Sequence, residues 1–143
     1  MSYPDDCLRG IPNSEFVADG KVRAHLFRFD DKNARQDGCI TVSINWNDDN
    51  NAVPFTLNQK DQDGNIQFEE GVAIISRESI DDLNRLPRIN NVLGYERDPI
   101  PSVNRYHGNI LLKSNVDPET RKLIRACVAC AVYKIVPQPT RQT

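Results

Sequence analysis

Between Cys39 and Trp46 the chain alternates without a break: Ile40, Val42, Ile44 and Trp46 are apolar, while Cys39, Thr41, Ser43 and Asn45 between them are small or polar. A period of two sends each set to its own face of an extended strand, so the segment predicts a strand with one face in a core. Val22, Ala24 and Leu26 alternate in the same way with Lys21, Arg23 and His25. They follow the turn pair Asp19-Gly20 and lead into Phe27 and Phe29, which predicts a half-buried strand over 21–29 paired with 39–46. Val72-Ala73-Ile74-Ile75 is a continuous apolar run, as expected of a strand covered on both faces. Tyr106 to Leu112 reads as a further strand. Cys7 to Pro12 reads as a short extended segment turning at Gly10 and Pro12, after which Asn13 or Ser14 caps one helical turn through Phe16 and Val17.

Helical signals cluster near the C-terminus. Asp117-Pro118-Glu119 supplies an N-cap, a proline at the first helical position and a first-turn carboxylate, all favourable at a helix start. Leu123, Cys127, Cys130 and Ala131 then form an apolar face with Ile124, Val128 and Ile135 beside it, and Pro137 marks the stop, so a helix over 117–136 is expected. A shorter helix opens at Ser79 and ends before Pro87. Asn47 to Asn51 is an unbroken run of Asn and Asp, which bond their own backbone and so predict a surface loop. The stretch from Asp30 to Gly38 is polar and ends in an Asp-Gly turn signal; 55–57 is ambiguous, and 87–92 and 96–105 lack periodicity. These elements predict a single α+β domain over 1–143. An antiparallel or mixed sheet of about four to six strands carries the main C-terminal helix across one face by its Leu123/Cys127/Ala131 stripe, and residues 138–143 form a loose tail.

Size and charge narrow the classes. A chain of 143 residues fits one domain and buries enough surface to fold without a metal or disulfide framework. The net charge of −2 is spread along the chain, which argues against general nucleic-acid binding. The polar, acidic start from Met1 to Asp6 has no apolar leader core, and no apolar run nears membrane-spanning length. A cytoplasmic protein without membrane contact, its four cysteines reduced, is therefore expected. No cofactor is expected.

Several local patterns carry possible chemistry. Gln59 to Glu70 resembles the calcium loop of EF-hand proteins, with Asp61 and Asp63 at the third and fifth positions, Gly64 at the sharp turn, Ile66 at the apolar position and Glu70 at the bidentate end. It departs from that family at Gln59, where the first carboxylate belongs; the alternative is an Asp-Gly hairpin. Cys127-Val128-Ala129-Cys130 has redox or zinc spacing but falls inside a helix, where such cysteines read as small core residues. His25 and His107 both lie on expected strands, an arrangement similar to two-histidine phosphoesterases, although His25-Leu26-Phe27 and His107-Gly108-Asn109 lack the hydroxyl residue of that motif. Arg9, Ser43 and Gln67-Phe68-Glu69 follow the order of the arginine, serine and glutamate elements in ADP-ribosyltransferases; that resemblance implies a cofactor phosphate held by Arg9. Finally, 95–107 concentrates Tyr95, Glu96, Arg97, Arg105, Tyr106 and His107 in a region without periodicity, as binding loops do.

The leading expectation is a non-catalytic binding or accessory domain acting through a partner protein. Its surface is Glu96, Arg97, Arg105 and Tyr106 with Trp46 nearby. The alternatives are a small enzyme acting on a nucleotide or phosphate-bearing ligand through Arg9, Ser43 and His107, and a calcium-responsive domain through Asp61, Asp63 and Glu70.

Overall fold

The computed structural model describes residues 3–29, 38–113 and 115–139; the polar stretch 30–37 and tail positions 140–143 lie outside the described residues. Strand β1 (Asp6–Ile11) is followed by a 3-10 turn over Ser14–Phe16, the short strands β2 (Val17–Ala18) and β3 (Lys21–Val22), a second 3-10 turn over Ala24–Phe27, and β4 (Cys39–Trp46). Then come helix α1 (Ala52–Leu57), β5 (Gly71–Ser76), α2 (Arg77–Asn84), β6 (Leu93–Arg97), β7 (His107–Lys113), α3 (Pro118–Cys130) and β8 (Val132–Val136). Six strands form one antiparallel sheet in the order β6-β7-β4-β1-β5-β8, and β2 and β3 make a separate hairpin. This is an α+β architecture.

The alternation in β4 works as the pattern predicts. Ile40, Val42, Ile44 and Trp46 enter the main core with Cys7, Ile11, Leu26, Phe27, Ile80, Ile124 and Val128, so α2, α3 and the 24–27 turn cover that face. On the other face a smaller cluster of Leu8, Ala52, Leu57, Val72, Ile74 and Tyr106 buries only the β1–β5 side, beneath α1. The β4–β7 side of this second face carries polar residues instead. Because β5 contributes to both clusters, its residues from Gly71 to Ile75 are all buried, matching its unbroken apolar run.

Five expectations need correction. The 21–29 segment stops being a strand after Val22 and winds into the 24–27 turn. Leu26 and Phe27 are adjacent and both buried; a strand would send them to opposite faces, whereas a tight turn buries both in one core. The C-terminal helix ends at Cys130, and Val132–Val136, rich in β-branched residues, pairs with the outer edge of β5 instead of extending the helix. Its buried positions are Ile124 and Val128, with Leu123, Cys127 and Ala131 half-buried beside them and Cys130 exposed. Helix α2 starts at Arg77, capped by the Ser76 hydroxyl, which accepts from the Ser79 N–H at 3.1 Å. Tyr95, Glu96 and Arg97 belong to edge strand β6 and not to a loop. Gln138 leaves the expected loose tail altogether: it is buried, and its side-chain N–H groups donate to Leu57 O at 2.6 Å and Phe68 O at 2.9 Å.

The helix caps and the turn at 13–16 follow the sequence signals. Asn13 accepts from Glu15 N, and Asp117 accepts from Thr120 N, which together with the Thr120 hydroxyl holds the Asp117 carboxyl below its ordinary pKa. Among the described residues no helix is long and apolar enough to cross a membrane. The burial pattern of α3 makes a direct prediction: Ile124→Ala lowers the unfolding free energy by about 2–5 kcal/mol in urea denaturation, as for other fully buried aliphatic truncations, and half-buried Leu123→Ala costs clearly less. Equal losses would contradict the orientation of α3.

Candidate functional site

Antiparallel pairing puts directly opposed residues on the same face. Leu8, Asn45 and His107 therefore form one cross-strand row, and Ser43, Asn109 and Glu96 form the next, all on the face that α1 covers only in part. Strand β1 pairs with β5 along its whole length but meets β4 only at Cys7–Trp46 and Leu8–Asn45. Beyond those pairs the strands part, and the Arg9 side chain bridges the opening: Nε donates to Leu26 O at 3.1 Å and Nη1 to Ser43 O at 2.8 Å. On the neighbouring residue, the Phe68 ring lies flat against Gly10, where a Cβ would overlap it. The parting opens into a cavity of about 330 Å³ whose wall includes Arg9, Gly10, Ser43, Asn45, Gln59 and His107, with Gln67, Phe68, Ile100, Val103 and Asn104 around them.

Among the described residues Arg9 bonds carbonyl oxygens only. No carboxylate pairs with it among the described residues, and crowding by neighbouring atoms, which strips its hydration, pushes the guanidinium down to about 10. It remains charged at neutral pH. Two of its five N–H groups are committed among the described residues.

The amides of the cavity are ordered by fixed backbone anchors. Tyr106 N–H can only donate, so the Asn104 oxygen accepts from it at 2.9 Å and the Asn104 NH₂ donates to the Asn45 oxygen at 2.8 Å. Thr56 donates to Ala52 O at 2.8 Å and so accepts from the Asn45 NH₂ at 2.8 Å; the same NH₂ donates to the Gln59 oxygen at 2.9 Å. The relay runs one way and ends with the Gln59 NH₂ as a donor at the cavity wall. His107 is oriented by the same logic: its Nδ1 lies 2.8 Å from Asp98 O, a carbonyl that can only accept, and 3.7 Å from the Asp98 carboxylate.

The charged residues expected to form a binding loop hold the cavity rim. Arg97 grips Asp48 with two bonds of 3.0 and 2.7 Å, and Arg105 and the Tyr106 hydroxyl both reach Asp49, at 3.0 and 2.9 Å. The guanidinium of Arg105 also stacks 4.7 Å above the Tyr106 ring. The Asn47–Asn51 run is thus pinned to the segment carrying Ile100, Val103 and Asn104. Bonds from Asn51 N–H and the Tyr106 hydroxyl hold the Asp49 carboxyl below its ordinary range. Trp46 is fully buried, donates to Glu96 O at 2.9 Å and packs against Tyr3 and Tyr95, so it is a core residue and offers no binding surface.

Of the other candidates, His25 stacks on Phe16 with ring centroids 4.5 Å apart and does not line the cavity with His107. Arg9, Ser43, Gln67 and Phe68 do share one cavity, while Glu69 is exposed and outside its lining. In the 59–70 segment, Asp61 accepts from the N–H groups of Asp63 and Asn65 at 2.9 and 3.0 Å, the turn of a small hairpin closed by the Lys60–Ile66 bridge. Strand β5 begins at Gly71, next to Glu70, where the EF-hand family has a helix. Among the described residues no group of three or more His, Cys, Asp or Glu is placed to hold a metal ion. Burial pushes the Cys7 thiol up to about 12, so it is inert. A larger opening of about 690 Å³ between the β2–β3 turn and β8 presents Lys21, Cys130 and Lys134 but lacks an oriented polar network like that around Asn45. Sequence reasoning singled out Arg9, Ser43 and His107, which line this cavity, and passed over Asn45, Gln59 and Asn104, which line it too. The available signal was Asn45 itself, an amide inside a strong strand, where Asn is depleted.

Comparison with protein-family models, with curated proteins and with solved structures gives no match. The site therefore stands on its own geometry.

Two outcomes follow. Asn45→Ala leaves the buried Asn104 NH₂ without its acceptor, and a buried orphan costs about 1–3 kcal/mol; chemical denaturation should show a loss in that range even though the truncated side chain is small. The Asp49 clamp predicts a pH dependence. A depressed carboxylate stabilises the fold above its unfolded pKa and loses that contribution as pH falls through the folded one. The melting temperature of Asp49→Asn should therefore lie below that of the wild type at neutral pH. The gap should start to close below about pH 4, the ordinary Asp value, and a gap independent of pH would contradict the clamp.

Proposed function

We propose that the protein binds a small phosphate-bearing ligand in the cavity between β1 and β4. The observation that carries this reading is Arg9, a guanidinium without a carboxylate partner among the described residues, in the wall of a cavity whose other polar groups are hydroxyls, amides and one imidazole. An uncompensated cation in a desolvating site costs free energy that an anion offsets. Ser43 and the amides of Gln59 and Gln67 add donors around it, which suits a group with three acceptor oxygens. The volume falls at the small end of ligand pockets, about 300–1,000 Å³. This is the alternative expected from Arg9, Ser43 and His107. It is favoured over the partner-protein reading because those three residues share a cavity, whereas Arg97, Arg105 and Tyr106 are engaged with Asp48 and Asp49.

The test is calorimetry and thermal shift with inorganic phosphate, ribose 5-phosphate and AMP. Wild-type protein should gain stability with ligand concentration, as mass action requires of a native-state ligand. Arg9→Gln should lose that response. Because Arg9 also bridges two strands, Ser43→Trp provides a second variant, filling the cavity from an exposed strand position while leaving Arg9 in place. No response of the wild type to any of the three at 10 mM, a high concentration on the order of the weakest useful affinities, would end this reading.

A further inference from the structure

The donor and acceptor pattern of the cavity narrows the ligand further, on the premise that the phosphate reading above is correct. The wall is polarised. At one end Arg9 and Gln59 present N–H groups, since the Gln59 oxygen is already occupied by Asn45. At the other end His107 uses Nδ1–H on a backbone carbonyl of Asp98, so in the neutral ring Nε2 carries a lone pair, and no partner occupies it among the described residues. An acceptor at that point asks for a donor from the ligand, and a second anionic group would be repelled.

Arg9 on β1 and His107 on β7 both border the cavity, with β4 between them. Its volume of about 330 Å³ accommodates a ligand the size of a sugar phosphate. Phe68, Ile100 and Val103 supply apolar surface for the carbon skeleton between the two ends.

From this we infer that the cavity is a site for a hydroxyl-bearing sugar phosphate, the phosphate at Arg9 and Gln59 and a ring hydroxyl donating to His107 Nε2, and that His107 is the residue that sets this specificity. The experiment compares ribose 5-phosphate with n-pentyl phosphate, which has the same phosphate and no hydroxyl, and with inorganic phosphate, all by calorimetry. Wild-type protein should prefer ribose 5-phosphate over pentyl phosphate by about fivefold to tenfold, the size of one good hydrogen bond. His107→Phe should bind the two alike while keeping wild-type affinity for inorganic phosphate. His107→Gln, which restores a side-chain oxygen acceptor, should recover the preference and guards against a folding defect in the Phe variant. Equal binding of the two esters by the wild type, or a preference that survives His107→Phe, would overturn the inference and leave phosphate binding intact. Absence of binding by all three ligands would instead remove the reading on which it rests.

Discussion

The parting of β1 from β4, bridged by a single guanidinium, organises the rest of this molecule. Strand β1 is committed to β5 over six residue pairs, and its registration there leaves only two pairs with β4. Past Leu8, the backbone groups of β4 need other partners, and Arg9 meets the carbonyl of Ser43. On the next residue the Phe68 ring occupies the space above Gly10, a position where any side chain would collide with it. A wedge on one face and a cation reaching toward Leu26 on the other keep the strands apart. A sheet optimised for stability alone would close this gap with ladder hydrogen bonds, and the departure from that rule falls where the cavity is.

Rigidity around the gap comes from polar groups whose directions are dictated by backbone atoms. Asn45 is flanked by Asn104 and Thr56, each fixed by a main-chain group that cannot reverse its role. The amide of Asn45 is consequently saturated, and its orientation passes on to Gln59. Among the described residues no buried side-chain nitrogen or oxygen lacks a partner. Buried polar networks carry a high cost when incomplete and fix a unique arrangement when complete. Here the arrangement presents the Gln59 NH₂ as a donor beside Arg9 and the Nε2 of His107 as an acceptor across the cavity.

How legible this was in the sequence depended on which physical signal each element rests on. Strand β4 and the Asp117 cap rest on local pattern, so period and capping chemistry suffice. The end of α3 was harder. Cys130, Ala131 and Ile135 sit at spacings that extend the helical face, and the helix stops because β5, buried on both faces, takes Val132–Val136 as its outer neighbour. That demand is long-range. Leu26 and Phe27 failed for a related reason, since alternation alone could not reveal that one core would take both. The charges between Arg97 and Arg105 depend on long-range pairing as well: their partners, Asp48 and Asp49, lie in the distant Asn/Asp run, which the local concentration of Arg, Tyr and Glu does not reveal. Arg9, Ser43 and His107 could be singled out by residue type, but their convergence follows from strand order, which no local spacing encodes.

The two faces of the sheet divide the work of the protein. The α2–α3 face holds the main core. The opposite face spends little apolar surface between β4 and β7 and carries the polar rows instead. Arg9 is where the two meet: its Nε bond reaches Leu26, which packs in the main core, and its Nη1 bond ends at Ser43 on the cavity side. Neutralising that guanidinium with a ligand anion would relieve a desolvation cost borne by the fold itself. Ligand binding would then tighten the junction of β1, β4 and the 24–27 turn, so that occupancy of the cavity and stability of the core are coupled through one side chain.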